Sequence, residues 1–168
     1  MRLSRLQISA AVIGLVLASG AQAQMGGGMG PTPSGPSAAD ATVPYKKGIA
    51  ALRAGDYPTA IKELRKAYDA NSGEGAIPYA LGMAYTASGK KPEAKKAFQS
   101  AVRTGNAPIP AYLQLGLVAI ELGERDLAVK QQAALEKKLT KCDAKCGDED
   151  RAEIKAAVEQ LAGKLATP

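Results

Sequence analysis

The sequence predicts an all-α protein: a helical-hairpin solenoid of three repeated units followed by a C-terminal capping helix. Three observations lead there. Identical residues recur at a fixed spacing of 34, apolar residues inside each unit fall three and four apart, and a Gly marks the same point in every unit. The chain's 168 residues are enough for one modest domain with a buried core.

The repeated residues are Gly48, Gly82 and Gly116, then Gly55, Gly89 and Gly123, then Ala60, Ala94 and Ala128. Leu64 matches Phe98, Ala67 matches Ala101 and Pro58 matches Pro92. The units span residues 41–74, 75–108 and 109–140. In unit one, Tyr45, Gly48, Ile49 and Leu52 share one helical face. Gly55 suits the left-handed residue that closes a helix. Asp56 can then cap the next helix, with Pro58 in its first turn, where a missing N–H costs little. Ala60, Ile61, Leu64, Ala67 and Tyr68 form the second apolar stripe. Gly48 and Ala60 are expected to let the paired helices approach closely, and Ala67 to admit the next unit. Unit three departs from the pattern in its second helix, with Gln132 and Leu135 where the others carry Leu64 or Phe98 and Ala67 or Ala101.

Two segments flank the repeats. Arg2 and Arg5, an apolar run from about Ile8 to Ala18, and Ala21-Gln22-Ala23 make the basic, apolar and small-residue order of a secretory signal. The run falls short of the roughly 20 residues a bilayer span needs. Cleavage is expected between Ala23 and Gln24, and an uncleaved anchor is the alternative and the one route to a membrane. Cleavage takes two Arg with it, so the net charge falls from +6 to +4. Residues 24–40 are dominated by Gly, Pro and Ser and are expected to be a disordered linker. Met25 and Met29 within it are a weak signal for copper. At the other end, Asp150 and Glu153 resemble a capping box. Ile154, Ala157, Val158, Leu161 and Leu165 then form one stripe of a closing helix, as the open end of a solenoid requires. A helix for a membrane surface or a partner is the other reading.

Gly82, Tyr85, Gly89, Ala94, Phe98 and Ala101 resemble the tetratricopeptide repeat, and the resemblance covers about residues 41–140. It implies a superhelical strip whose concave face is lined by the first helix of each pair. That face would carry Tyr45, Ile49, Leu52 and Arg53, then Tyr79, Met83 and Thr86, then Leu113, Leu117, Ile120 and Glu121. The family's carboxylate clamp uses Lys, Arg and Asn on this face. Tyr45 and Ile49 stand where its Lys and Asn would be expected, so an apolar peptide or amphipathic helix is the expected occupant. The tail, neighbouring helices or a second copy could equally cover the face. The Lys-rich stretches, such as Lys90, Lys91, Lys95 and Lys96, fall mainly on second helices and are read as a solvated convex face or a rim for acidic partners.

Cys142 and Cys146 are the two cysteines, in the turn before the closing helix. In an exported chain their spacing favours a structural disulfide, with free thiols, redox chemistry or Cu(I) as alternatives. The chain has no His, which removes imidazole-based nucleophilic catalysis and His-ligated metal centres. With one Phe and six Tyr, a base-stacking surface for nucleic acid is poorly supplied. The expectation is a non-enzymatic, periplasmic or secreted scaffold without cofactor or nucleic acid, binding a protein or peptide. A metal- or thiol-handling protein and a self-associating structural protein are the competing classes.

Overall fold

The computed structural model describes residues 38–142 and 146–167. The signal-like segment with Ala23 and Gln24, and the linker through residue 37 with Met25 and Met29, lie outside them. Seven helices follow one another among the described residues, with no strand: α1 Ala38–Arg53, α2 Tyr57–Ala70, α3 Ala76–Ala87, α4 Lys91–Arg103, α5 Ile109–Glu121, α6 Arg125–Lys141 and α7 Asp148–Ala166. They pair as three hairpins, α1 with α2, α3 with α4 and α5 with α6, and α7 packs on both helices of the last pair.

The hairpin turns are three copies of one device. Gly55, Gly89 and Gly123 each sit at φ 76°. The residue after each Gly donates to the carbonyl five positions back, from Asp56, Lys90 and Glu124 to Ala51, Tyr85 and Ala119. Each Gly donates to the carbonyl three positions back. That pair of bonds is the Schellman closure, and its left-handed residue is why Gly recurs there. Asp56 caps α2 as expected, accepting from the Thr59 N–H at 3.1 Å. Hydrogen bonding from Thr59, first from its side chain and then from its N–H, holds the Asp56 carboxyl below its ordinary value.

Two boundaries differ from those read in the sequence. α1 begins at Ala38, three residues inside the stretch assigned to the linker. Ala41 is buried with Ala67 and Ile77, and Asp40 lies in the first turn, where a carboxylate complements the helix dipole. α7 begins at Asp148, with Gly147 as its cap, so Asp150 is inside the first turn and is not the capping residue. Asp148, Glu149 and Asp150 all fall in that turn. Three acidic neighbours at a helix N-terminus leave the starting residue ambiguous in sequence.

The recurring Gly in each first helix has a packing cause. A Cβ on Gly48 would stand 2.6 Å from Leu64 Cγ, and one on Gly82 would stand 2.5 Å from Phe98 Cε1. Each is therefore a seat for the large side chain of the second helix in its own hairpin, a closer relation than the expected Gly48–Ala60 approach. Unit three breaks the rule. Gln132 occupies the position equivalent to Leu64 and Phe98, and it turns to Glu136 in a 2.8 Å hydrogen bond. The seat on Gly116 is taken by Leu161 of α7, whose Cδ2 would lie 2.7 Å from an added Cβ. The closing helix thus replaces a side chain that the third hairpin lacks, and Leu161 is fully buried.

Candidate functional site

The first-helix face is built from side chains that are half core and half surface. Tyr45, Ile49 and Leu52 of α1 pack their inner sides against Ala60, Leu64 and Leu81. Tyr79 and Met83 of α3 pack against Phe98 and Leu115. The Tyr79 and Phe98 rings lie 6.0 Å apart at 43°, a tilted aromatic pair. Thr86 donates its hydroxyl to the Gly82 carbonyl at 2.9 Å, so its polar atom is already engaged within α3. Arg53 is exposed at the end of α1.

The α5 part of the face differs. Leu113, Leu117 and Ile120 pack into the cluster that contains Ala157 and Leu161, with Val158 and Leu165 beside them. α7 therefore lies over the third unit's share of the surface. A cleft of about 320 Å³ remains between Leu117, Ile120 and Glu121 on α5 and Lys164 and Thr167 at the end of α7. Arg125 fixes that end by donating to the Thr167 carbonyl at 3.1 Å and to the Leu165 carbonyl. Glu121 pairs with Lys91 at 3.0 Å, both half-exposed. It belongs to a rim between α4 and α5, and Lys95 makes the parallel pair with Glu124.

The two ends of the face are thus unlike. Units one and two present Tyr45, Ile49, Leu52 and Met83, whereas α7 packs on unit three. A second recess of about 340 Å³ opens beside Tyr45, lined by Ala41, Thr42, Asn71, Glu74 and Ile77. Tyr79 stands at the boundary between the two ends. Burial, and secondarily the Glu153 carboxylate of α7, push its hydroxyl above the ordinary tyrosine value of 10.0. Sequence reasoning missed Glu153 in this role. The sequence reads Glu153 as part of a capping box with Asp150, and nothing local says that it comes near Tyr79.

The Tyr79 shift gives a pH dependence with a definite sign. The folded state holds its proton more tightly than the unfolded chain, so this contribution is complete below pH 10.0 and is lost as pH rises through the raised folded value. The thermal midpoint should fall more steeply between about pH 9 and about pH 11 in the wild type than in Tyr79→Phe. Equal slopes would show that Tyr79 is not desolvated.

The cysteines lie at the joint between α6 and α7. Their Cα atoms are 5.2 Å apart, within the range a disulfide spans. Arg151 in the first turn of α7 donates to the Cys142 carbonyl and ties the joint from the other side. Among the described residues, no group of three or more His, Cys, Asp or Glu is close enough to hold a metal ion. No described helix is long and apolar enough to cross a membrane.

Helical hairpins stacked in one direction, closed by identical Gly turns and seated on Gly–large pairs, define a helical-repeat solenoid. Residues 45–108 match the family model of the tetratricopeptide repeat. That stretch is 64 of the 168 residues, and over it the sequence is that of tetratricopeptide repeats. No curated protein matches it in sequence. Among solved structures it is similar to the first such domain of Spaghetti (RPAP3), determined with the HSP90 peptide SRMEEVD: TM-score 0.60, 20% identity, over 79% of this chain and 98% of that one. The Sgt2 domain from Aspergillus fumigatus gives 0.58 and 22%, over 82% and 83% of the two chains. The Arabidopsis OM64 domain gives 0.58 and 17%, over 75% and 97%. Similarity at these identities concerns the fold.

Proposed function

We propose that the chain is a non-enzymatic docking module of the cell envelope, which holds an apolar segment of a partner protein on the first-helix face of units one and two. The observation that carries this reading is the half-buried apolar row of Tyr45, Ile49, Leu52 and Met83, beside an equivalent row on α5 that α7 already packs against. A peptide held by a similar fold, the HSP90 peptide of the Spaghetti domain, supports the general mode. The envelope location rests on the basic and apolar start of the sequence. Tyr45 and Ile49 supply apolar contact where a carboxylate clamp would need cationic and amide groups, so an internal apolar segment fits better than a free C-terminus.

Met83→Ala tests the face with little risk to the fold, since Met83 is half-buried at its edge. Photo-crosslinking in the native cell, from a photoreactive residue placed at Ile49, should yield one discrete partner identified by mass spectrometry. Met83→Ala should reduce that product severalfold with only a modest fall in the melting temperature, and Tyr79→Ala should act in the same direction at a larger cost in stability. A crosslink that forms only between two copies of the chain would replace this reading with self-association. Unchanged capture by both variants would remove the face from consideration.

The cysteine pair belongs to the same reading as a structural bridge. It would fix the start of α7 where α7 leaves α6. A thiol assay on denatured, unreduced protein should detect no free thiol. Two reactive thiols that retain copper would move the chain to the metal-handling class.

A further inference from the structure

α7 is tied down at three points along its length. At its start, Cys142 and Cys146 are bridged at the joint with α6, and Arg151 donates to the Cys142 carbonyl. In its middle, Leu161 sits over Gly116. At its end, Arg125 donates to the Leu165 and Thr167 carbonyls. The second and third attachments are non-covalent. The first is a bond that chemistry can open and close without touching the rest of the chain, because these are its two cysteines.

The bridge also enforces the bend. In a continuous helix, residues four apart hold their Cβ atoms about 5–6 Å from each other. A disulfide needs about 3.5–4.5 Å. The Cα atoms of Cys142 and Cys146 are 5.2 Å apart, shorter than the separation of about 6.2 Å that helix geometry sets. A bridged chain therefore does not run as helix through both cysteines, and α6 ends at Lys141. Nothing else at the joint is an absolute stop. No Pro lies between α6 and α7. Gly147 weakens a helix interior without forbidding it. Its φ of −63° and ψ of 156° are open to other residues, and a Cβ there would meet nothing nearer than Asp150 Oδ2 at 3.9 Å.

The position of α7 decides how long the apolar row is. Leu113, Leu117 and Ile120 pack into the cluster that α7 completes with Ala157 and Leu161. With α7 off α5, these three would continue the row of units one and two. The bond that holds the start of α7 is within reach of a reagent. Cys142 is buried at 2% exposure, but Cys146 is partly exposed.

We propose that the Cys142–Cys146 bridge is a redox-controlled latch on α7, and that its reduction by a dithiol raises the population with α7 off α5 and so adds the α5 row to the docking face. A thiolate of the dithiol attacks Cys146 Sγ, the S–S bond breaks, and Cys142 leaves with the electron pair. The second thiolate of the dithiol then displaces Cys146 from the mixed disulfide. The chain gains two electrons and two protons as a pair of thiols, and the dithiol becomes a disulfide. Undocked α7 then has more conformations open to it, including helix continued from α6. For a bridge of sequence separation 4, the chain-entropy factor is on the order of thirtyfold. This control rests on the bridge assigned above, and the use of the uncovered row rests on the first-helix docking reading.

The test is hydrogen exchange on the full chain, as isolated and after dithiothreitol, with a thiol count on both samples. The isolated protein should count no free thiol. After reduction the α7 amides should exchange about ten- to thirtyfold faster, while those of α1 to α4 keep their rates. Cys142→Ala with Cys146→Ala should show the reduced pattern without dithiothreitol, and dithiothreitol should no longer change it. Gly147→Ala should speed α7 exchange further in the reduced protein, where helix can continue through the joint, and have a small effect in the bridged one. No partner enters this readout, so its outcome is separate from that of the docking assignment. Free thiols in the isolated protein would remove the bridge and the latch together. A bridge whose reduction leaves α7 protected would remove the latch alone. Faster exchange throughout α1 to α4 as well would make the bridge a global staple and overturn the proposal.

Discussion

Phe98→Ala should cost about 3–5 kcal/mol of folding stability, the range for removing a fully buried aromatic. Total stability for a domain of this size is about 5–15 kcal/mol, so the variant should lose a large part of it. Phe98 has no exposed surface. Its ring covers Gly82, meets Tyr79 and joins Ala94 to Leu115 and Val118, so it holds unit two together and binds it to unit three. In a solenoid each unit is stabilised by its neighbours, and a central loss weakens both junctions. Phe98→Leu is the informative companion. Unit one already runs the same seat with Leu64 over Gly48, so leucine has a working precedent in this chain. That variant should lose roughly 1–2 kcal/mol, because part of the ring volume is left empty. Urea unfolding followed by circular dichroism measures both. An alanine variant within about 1 kcal/mol of the wild type would mean that Phe98 does not join the units.

Features that depend on a few neighbouring residues were legible in the sequence. Gly55, Gly89 and Gly123 announce left-handed turn residues, and Asp56 followed by Pro58 announces a helix start. The 34-residue period added the order of the hairpins, because one solution repeated three times fixes the next. The first-helix row was legible as a list of residues, since each lies at an equivalent position. Whether a given member faces solvent was not. Leu117 and Ile49 occupy the same place in their units, yet one packs with α7 and the other does not. The difference arises 29 residues beyond Gln132, where Leu161 supplies what that position lacks. No local pattern encodes such a substitution, because an apolar stripe on a last helix reads the same whichever surface it covers. Gln131 escaped notice for the converse reason. Gln is ordinary on a helix surface, and only the tertiary packing around α6 makes it a buried amide.

Leu161→Ala should have the second-largest effect, about 2–5 kcal/mol, and its pattern should differ from that of Phe98→Ala. Leu161 is fully buried, yet it reaches its seat on Gly116 from the last of the described helices. Removing it empties a seat that Gln132 cannot fill, since that side chain is turned to Glu136. Among the described helices α7 packs mainly on α5 and α6, so the loss falls on that one junction. Hydrogen exchange should therefore show α7 losing protection first, together with the amides of α5 beneath it, while α1 to α4 keep theirs. Leu165→Ala, at a half-buried position near the end of α7, should lose markedly less. Release of α7 should also remove Glu153 from Tyr79 and return the tyrosine hydroxyl toward its ordinary value. It should uncover Leu113, Leu117 and Ile120, extending the apolar row of units one and two along a third helix. A Leu161→Ala protein that binds the groove partner more tightly would identify α7 as a competitor for that face. One that binds as before, with α7 amides still protected, would show that the helix is held by its other contacts and that Leu161 is not its anchor.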